Sequence, residues 1–184
     1  EDFPMLILED LSDGSWTHTW SPENIQRVKN TIEKIGEVTP PPEIPSLEEL
    51  RFIFCRWQKV AENPEQFLSL GLCDEQWLKK SLPTILNAEK SIDLKGDKLV
   101  HFDLRSDNIC FKDNRTLIID WNWARRGNPK VDLLFWLPTL HIEGGSPPWT
   151  FTLDNPELIT GITGHYAFSS TQPAHKQGSA IRKL

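Results

Sequence analysis

Residues 101–108 read His-Phe-Asp-Leu-Arg-Ser-Asp-Asn, and twelve residues further on another carboxylate, Asp120, closes the apolar run Thr116-Leu-Ile-Ile. Three oxygen-bearing side chains at this spacing, Asp103, Asn108 and Asp120, suit one kind of chemistry. An aspartate beside a hydroxyl accepts or orients its proton and so prepares a nucleophile. A neutral amide oxygen and an anionic carboxylate are hard donors of the type Mg2+ prefers. Together they are what transfer of a phosphoryl group from Mg-ATP to a hydroxyl requires. Asp103 is the expected catalytic group, and Asn108 and Asp120 are the expected metal ligands. An aspartate ending an Ile-Ile strand is costly to bury alone, which points to a metal or strong donor nearby.

A few short elements must position these groups. The run Lys98-Leu-Val-His-Phe delivers the loop. Residues 108–112 and 116–120 read as two strands around Lys112-Asp-Asn-Arg115, a hairpin that fixes Asn108 and Asp120 at one end of the same ribbon. The rest is mainly helical. Ser21-Pro22 caps and starts a helix with Ile25, Val28, Ile32 and Ile35 at helical spacing, and Gly36 suits its stop. Residues 40–45, rich in proline, read as a stiff extended connector. Ser46 and Glu49 form a capping box ahead of Leu50, Ile53, Phe54, Trp57 and Val60. A helix is expected over about 74–92, bent or broken at Pro83. An apolar helix should follow Pro129 and end near Pro138. Gly144-Gly-Ser-Pro-Pro is a loop, and Asn155-Pro156 opens a last helix through Ile159, Ile162 and Tyr166. Residues 4–8 read as a short buried strand, and the tail from Ser169 is poorly patterned.

With 38% hydrophobic and 25% charged residues in 184, the chain has the make-up of a soluble domain with one core. The net charge of −6 is uneven: residues 1–50 carry eleven acids against three bases. That balance argues against a nucleic-acid-binding domain, which shows a basic stripe. It suits a solvated acidic face, or attraction of a cationic substrate. No stretch approaches the length of a membrane span. Cys55, Cys73 and Cys110 have neither disulfide nor zinc spacing, which fits a reducing cytoplasm. The eight Trp are read as core and interface fillers. His141, His165 and His175 offer no ligand spacing with Asp103.

The segment His101–Asn108, with Ile119-Asp120-Trp121 and Gly127-Asn-Pro-Lys-Val-Asp132-Leu, resembles the aminoglycoside phosphotransferase and small-molecule kinase branch of the protein-kinase-like fold. The resemblance implies an α+β, mainly helical chain: the C-terminal lobe of that fold with a small catalytic β-hairpin. It places the catalytic loop at 101–108 and the metal segment at 119–121, within a helical lobe spanning 15–184. Residues 1–14 would hold the last strand of the N-terminal lobe and the hinge.

The same resemblance assigns roles. Asp103 would face an acceptor hydroxyl. Arg105 would steady the transferred phosphoryl group, an exposed salt-bridging arginine being the alternative. His101 and Asp132 would be structural supports of the loop. Leu8, Glu9 and Leu11 would meet adenine at the hinge, and Cys110 and Ile119 would form the apolar floor. Asp107 is read as a turn residue, and Lys112, Arg125, Arg126 and Lys130 as solvated surface. ATP and Mg2+ are the implied cofactors, and a small-molecule hydroxyl compound the implied partner, with no nucleic acid or membrane. No Gly-rich phosphate loop or strand lysine precedes the hinge, so the chain is expected to be a piece of a longer protein, cut at both ends. A non-catalytic binding module built on such a lobe, or an inactive fragment, is the alternative.

Overall fold

A helix of fourteen residues, α1 (Pro22–Ile35), forms where the sequence combines an N-cap, an N1 proline and a 3.6-residue apolar period. Ser21 Oγ accepts the Asn24 N–H at 3.2 Å, and Ile25, Val28 and Ile32 are buried on one face. The computed structural model describes residue 5, residues 7–16 and residues 20–173. After α1 come α2 (Arg51–Phe54), α3 (Trp57–Glu62), α4 (Pro64–Leu68) and α5 (Glu75–Lys90). The strands β1 (Lys98–Val100), β2 (Ile109–Lys112), β3 (Arg115–Ile118) and β4 (Arg125–Gly127) follow, then α6 (Lys130–Ile142) and α7 (Pro156–Thr171). The described chain is mainly helical, with two antiparallel two-stranded sheets, β1–β4 and β2–β3.

These elements form two units, each assembled from two separate stretches. The first joins the described residues up to Ile44 with Asp97–Phe151 and holds α1, all four strands and α6. In β2–β3, Ile109 lies opposite Ile118 and Lys112 opposite Arg115, with Asp113 left-handed at φ 52° in the turn. In β1–β4, Lys98 lies opposite Gly127. Val28, Val100, Val131, Trp136 and Leu140 are fully buried in this unit. The second unit joins Pro45–Gly96 with the described residues from Thr152. Its core gathers Trp57, Val60, Phe67, Leu78 and Ala167, with Leu82, Leu86 and Phe168 packed against them.

Several expectations need correction. Met5, Ile7 and Leu8 are exposed and belong to no strand. A strand needs a neighbour for its backbone groups, and among the described residues no strand pairing involves them; residues 4 and 6 fall outside the described set. The connector over 40–45 is a turn rather than an extended run, with the Ile44 N–H donating to the Pro41 carbonyl at 3.1 Å. Proline's fixed φ suits such a turn as well as an extended segment.

Helices depart from expectation in both directions. The helix opened by Ser46 starts as a 3-10 turn, runs through α2, stops at Cys55 and resumes as α3. The break is stabilised by Glu89, whose carboxylate accepts the Trp57 and Gln58 N–H groups at 2.8 and 3.3 Å. Helix α5, by contrast, runs unbroken through Pro83. Pro83 and Lys79 are both exposed, so the carbonyl that loses its donor faces water. Helix α6 likewise passes Pro138 and ends at Ile142. Burial of Leu137 and Leu140 on either side, roughly 1.5–3 kcal/mol each, offsets the ~3 kcal/mol cost of an interior proline. Arg125 and Arg126 are half-buried in β4 rather than solvated. The tail beyond residue 173 lies outside the described residues.

Candidate active site

The chemistry-bearing loop starts where β1 ends. His101 is fully buried, and Phe102 adopts a left-handed backbone at φ 65°, a conformation that costs a bulky residue free energy. Asp132, in the first turn of α6, holds it there: Oδ2 accepts the His101 N–H and Oδ1 the Phe102 N–H, both at 2.8 Å. Asp132 is buried, and burial pushes its carboxyl up to about 6 against the pull of those two N–H groups.

The His101 ring is fixed at both nitrogens. Nδ1 accepts the Asp103 N–H at 3.2 Å, so Nε2 carries the proton it donates to the Ile119 carbonyl at 2.8 Å. Burial lowers the ring's pKa, while the Ile119 bond and the charges of Asp103 and Asp120 oppose that shift. A neutral, Nε2-protonated imidazole results. Trp121 packs edge-on against it, with ring centroids 4.6 Å apart.

Asp103 is half-buried, and burial raises its pKa, assisted by Asp107 and Asp120 and opposed by Arg105 and His101. A carboxylate tuned upward is a stronger base toward a hydroxyl. Buried Asn108 closes the loop: its Nδ2 donates to the Asp103 carbonyl at 2.8 Å and to Asp103 Oδ2 at 3.3 Å. Both partners only accept, which fixes the amide's orientation and turns Oδ1 away from Asp103. The Ile119 N–H donates to the Asn108 carbonyl at 3.0 Å, tying the loop to the start of segment 119–121.

Asp120 stands at the end of that segment with φ 61°, a strained position for any residue but glycine, though aspartate and asparagine tolerate it best. It is exposed, not buried as its place after Ile118-Ile119 suggested, because the left-handed turn swings the chain outward into the 3-10 turn Trp121–Trp123. The Asn122 Nδ2 donates to Asp120 Oδ1 at 2.5 Å. Arg105 is exposed, with Nε 3.4 Å from Asp103 and Nη2 3.2 Å from Asp107. His101, Asp103, Arg105, Asn108, Ile119 and Asp132 thus form one bonded network, with Asp120 in electrostatic contact with Asp103 and His101.

The donor set suits a hard cation. It offers an amide oxygen from Asn108 and a carboxylate from Asp120. Among the described residues no group of three or more His, Cys, Asp or Glu side chains converges as a metal cage. Mg2+ takes one or two protein carboxylates when phosphates complete its shell. The residues present fit that ion.

The other expected nucleotide contacts lie along the hairpin. Glu9 is paired with Arg115 through bonds of 3.0 and 2.6 Å, and Lys112 binds Asp13 at 2.6 Å. Ser15 bridges to Phe111 in both directions, at 2.8 and 2.9 Å, so residues 11–15 lie against β2. Leu11 accepts the Gly14 N–H, and buried Cys110 packs directly beneath Gly14. Leu8 is exposed. Ser106 in the loop and Glu143 beside it carried no reading from sequence, and Trp20 was read only as a core or interface filler. Their only signal was Glu143 immediately ahead of Gly144-Gly145.

The chain belongs to the phosphotransferase enzyme family, whose model matches residues 23–154, including the loop, the hairpin and α6. This agrees with the aminoglycoside-phosphotransferase resemblance. No curated protein matches the chain. Among the described residues no helix is long and apolar enough to cross a membrane.

Proposed function

We propose that the chain acts as an ATP-dependent small-molecule kinase of the aminoglycoside-phosphotransferase type, moving the γ-phosphate to a hydroxyl, on a lobe of the protein-kinase-like type. The observation that carries this reading is the bonding of Asn108 to Asp103, which holds a base and a metal ligand in one rigid loop beside Asp120. An acceptor hydroxyl would lie against Asp103. Its oxygen attacks the γ-phosphorus of ATP, the bond to the bridging oxygen breaks, and the hydroxyl proton passes to the Asp103 carboxylate. Bound Mg2+ supplies charge neutralisation for the phosphates, and Asn108 Oδ1 and Asp120 are the groups that would hold it. Arg105, paired with Asp103 and Asp107, would meet negative charge at the transferred group. Leu8, Glu9, Leu11, Cys110 and Ile119 are assigned to the adenine side. Three free thiols suit a cytoplasmic setting.

The test is turnover of the intact protein with Mg-ATP and a panel of hydroxyl acceptors. Asp103→Asn keeps the shape and removes the base, and turnover should fall by ~10²–10⁴. Unchanged turnover in that variant would sink the assignment.

A further inference from the structure

Helix α6 grips the 101–108 loop from both of its ends. Asp132, in its first turn, holds the N–H groups of His101 and Phe102. Glu143, just beyond its last residue, reaches the middle of the loop. There Ser106 Oγ donates to Oε1 at 2.7 Å, and Trp20 Nε1 donates to Oε2 at 3.0 Å. Ser106 is buried between exposed Arg105 and Asp107, midway between Asp103 and Asn108.

The turn that aims Glu143 is itself tightly fixed. The N–H groups of Glu143, Gly144 and Gly145 donate to the carbonyls of Thr139, His141 and Leu140 at 3.0, 3.1 and 2.8 Å. Gly144 is left-handed at φ 88°. A methyl group on Gly145 would strike the Leu140 side chain and lie 2.9 Å from its carbonyl oxygen. The Glu-Gly-Gly sequence therefore ends the helix in a single way, with the carboxylate turned toward the loop. Trp20 packs edge-on against Trp136 of α6 at 5.4 Å, so the second oxygen is anchored to the helix's own core.

We infer that Glu143 is a positioning residue for phosphoryl transfer, acting through Ser106 on the separation of Asp103 and Asn108; this rests on the kinase reading above. The Asn108 bond to Asp103 closes the loop on itself without fixing it to α6. Asp132 fixes only its first two residues. The Ser106–Glu143 bond supplies the missing tie, at the point where a shift would move base and metal ligand together.

Two readouts on the intact protein test this: Mg-ATP hydrolysis with water as acceptor, and hydrogen–deuterium exchange over residues 103–108. Glu143→Ala should lower kcat by about 10- to 100-fold, leave KM for ATP within about two-fold, and speed exchange in that segment. Ser106→Ala should do the same, and the double variant should be no worse than either alone, since both remove one contact. Glu143→Gln should restore much of the rate. Its amide oxygen accepts from Trp20 and its NH2 donates to a hydroxyl that also accepts. Trp20→Phe, which releases Oε2 but leaves the Ser106 bond, should lower kcat by less than Glu143→Ala does. Additive losses, an unchanged exchange rate in Glu143→Ala, or Trp20→Phe reproducing the whole loss would each overturn the inference. Absent turnover in the wild type would instead count against the kinase reading, and exchange would then decide the grip on its own.

Discussion

Two buried carboxylates, one in each unit, perform the same physical task for different ends. Asp132 accepts the N–H groups of His101 and Phe102, both at 2.8 Å, and Glu89 accepts those of Trp57 and Gln58 at 2.8 and 3.3 Å. Both are pushed upward by burial and pulled down by their N–H partners. Their surroundings differ. Glu89 caps the start of α3, where free N–H groups and the helix dipole already favour an anion. Asp132 holds a left-handed Phe102, which stands directly between His101 and a half-buried Asp103. A perturbed carboxylate is therefore not in itself a mark of function. The neighbours it restrains decide whether it supports chemistry or only the fold.

The sharpest way to break this comparison is to delete each carboxylate in turn. Asp132→Ala strands two buried N–H groups beside the loop and should cost about 3 kcal/mol in urea unfolding. It should also abolish most turnover even where the protein is folded, because Phe102 loses its restraint. Glu89→Ala should cost somewhat less, about 2 kcal/mol, its second bond being longer. Turnover of the folded Glu89→Ala protein should stay near wild type; an equal loss in both variants would erase the distinction.

Titration sharpens the same comparison. Asp132 binds its proton more tightly folded, at about 6, than at its ordinary 3.8. The folded state thus holds more protons between those values, and stability falls as pH rises. This contribution is fully present below 3.8 and lost as pH climbs through about 6. The wild-type urea midpoint, measured relative to Asp132→Asn, should decline across that window, and a rise would reverse the assigned sign. The smallest effect belongs to a local cap. Ser46→Ala, which removes the Oγ that accepts the Glu48 N–H at 3.2 Å, should cost about 1 kcal/mol in thermal unfolding.

Local grammar explains what was legible. Ser21-Pro22, the Ser46 to Glu49 box and the Lys112–Arg115 turn each carry their signal within four residues, and each element starts where that signal stands. The oxygen-bearing side chains of the loop were legible for the same reason: five residues separate Asp103 from Asn108. Long-range partners were not. Glu89 sits in an ordinary helical position, and nothing near it announces that it will cap a helix about thirty residues earlier. The pairing of β1 with β4 was hidden because Arg125-Arg126 has the composition of surface. Pro83 was read as a bend or break and Pro138 as a nearby helix end, yet both helices continue, where water or tertiary packing offsets the lost bond. The exposure of Asp120 depended on one backbone dihedral that no side-chain pattern encodes.

The wiring of His101 limits what any rate profile can report. An imidazole that receives on one nitrogen and gives on the other has no lone pair or proton left to trade with a substrate. Protonating it would require breaking the link from Asp103, and the loop with it. An ionisation seen in turnover near neutrality thus originates elsewhere, Asp132 at about 6 among the sources, and this histidine acts as a fixed strut between two stretches of backbone.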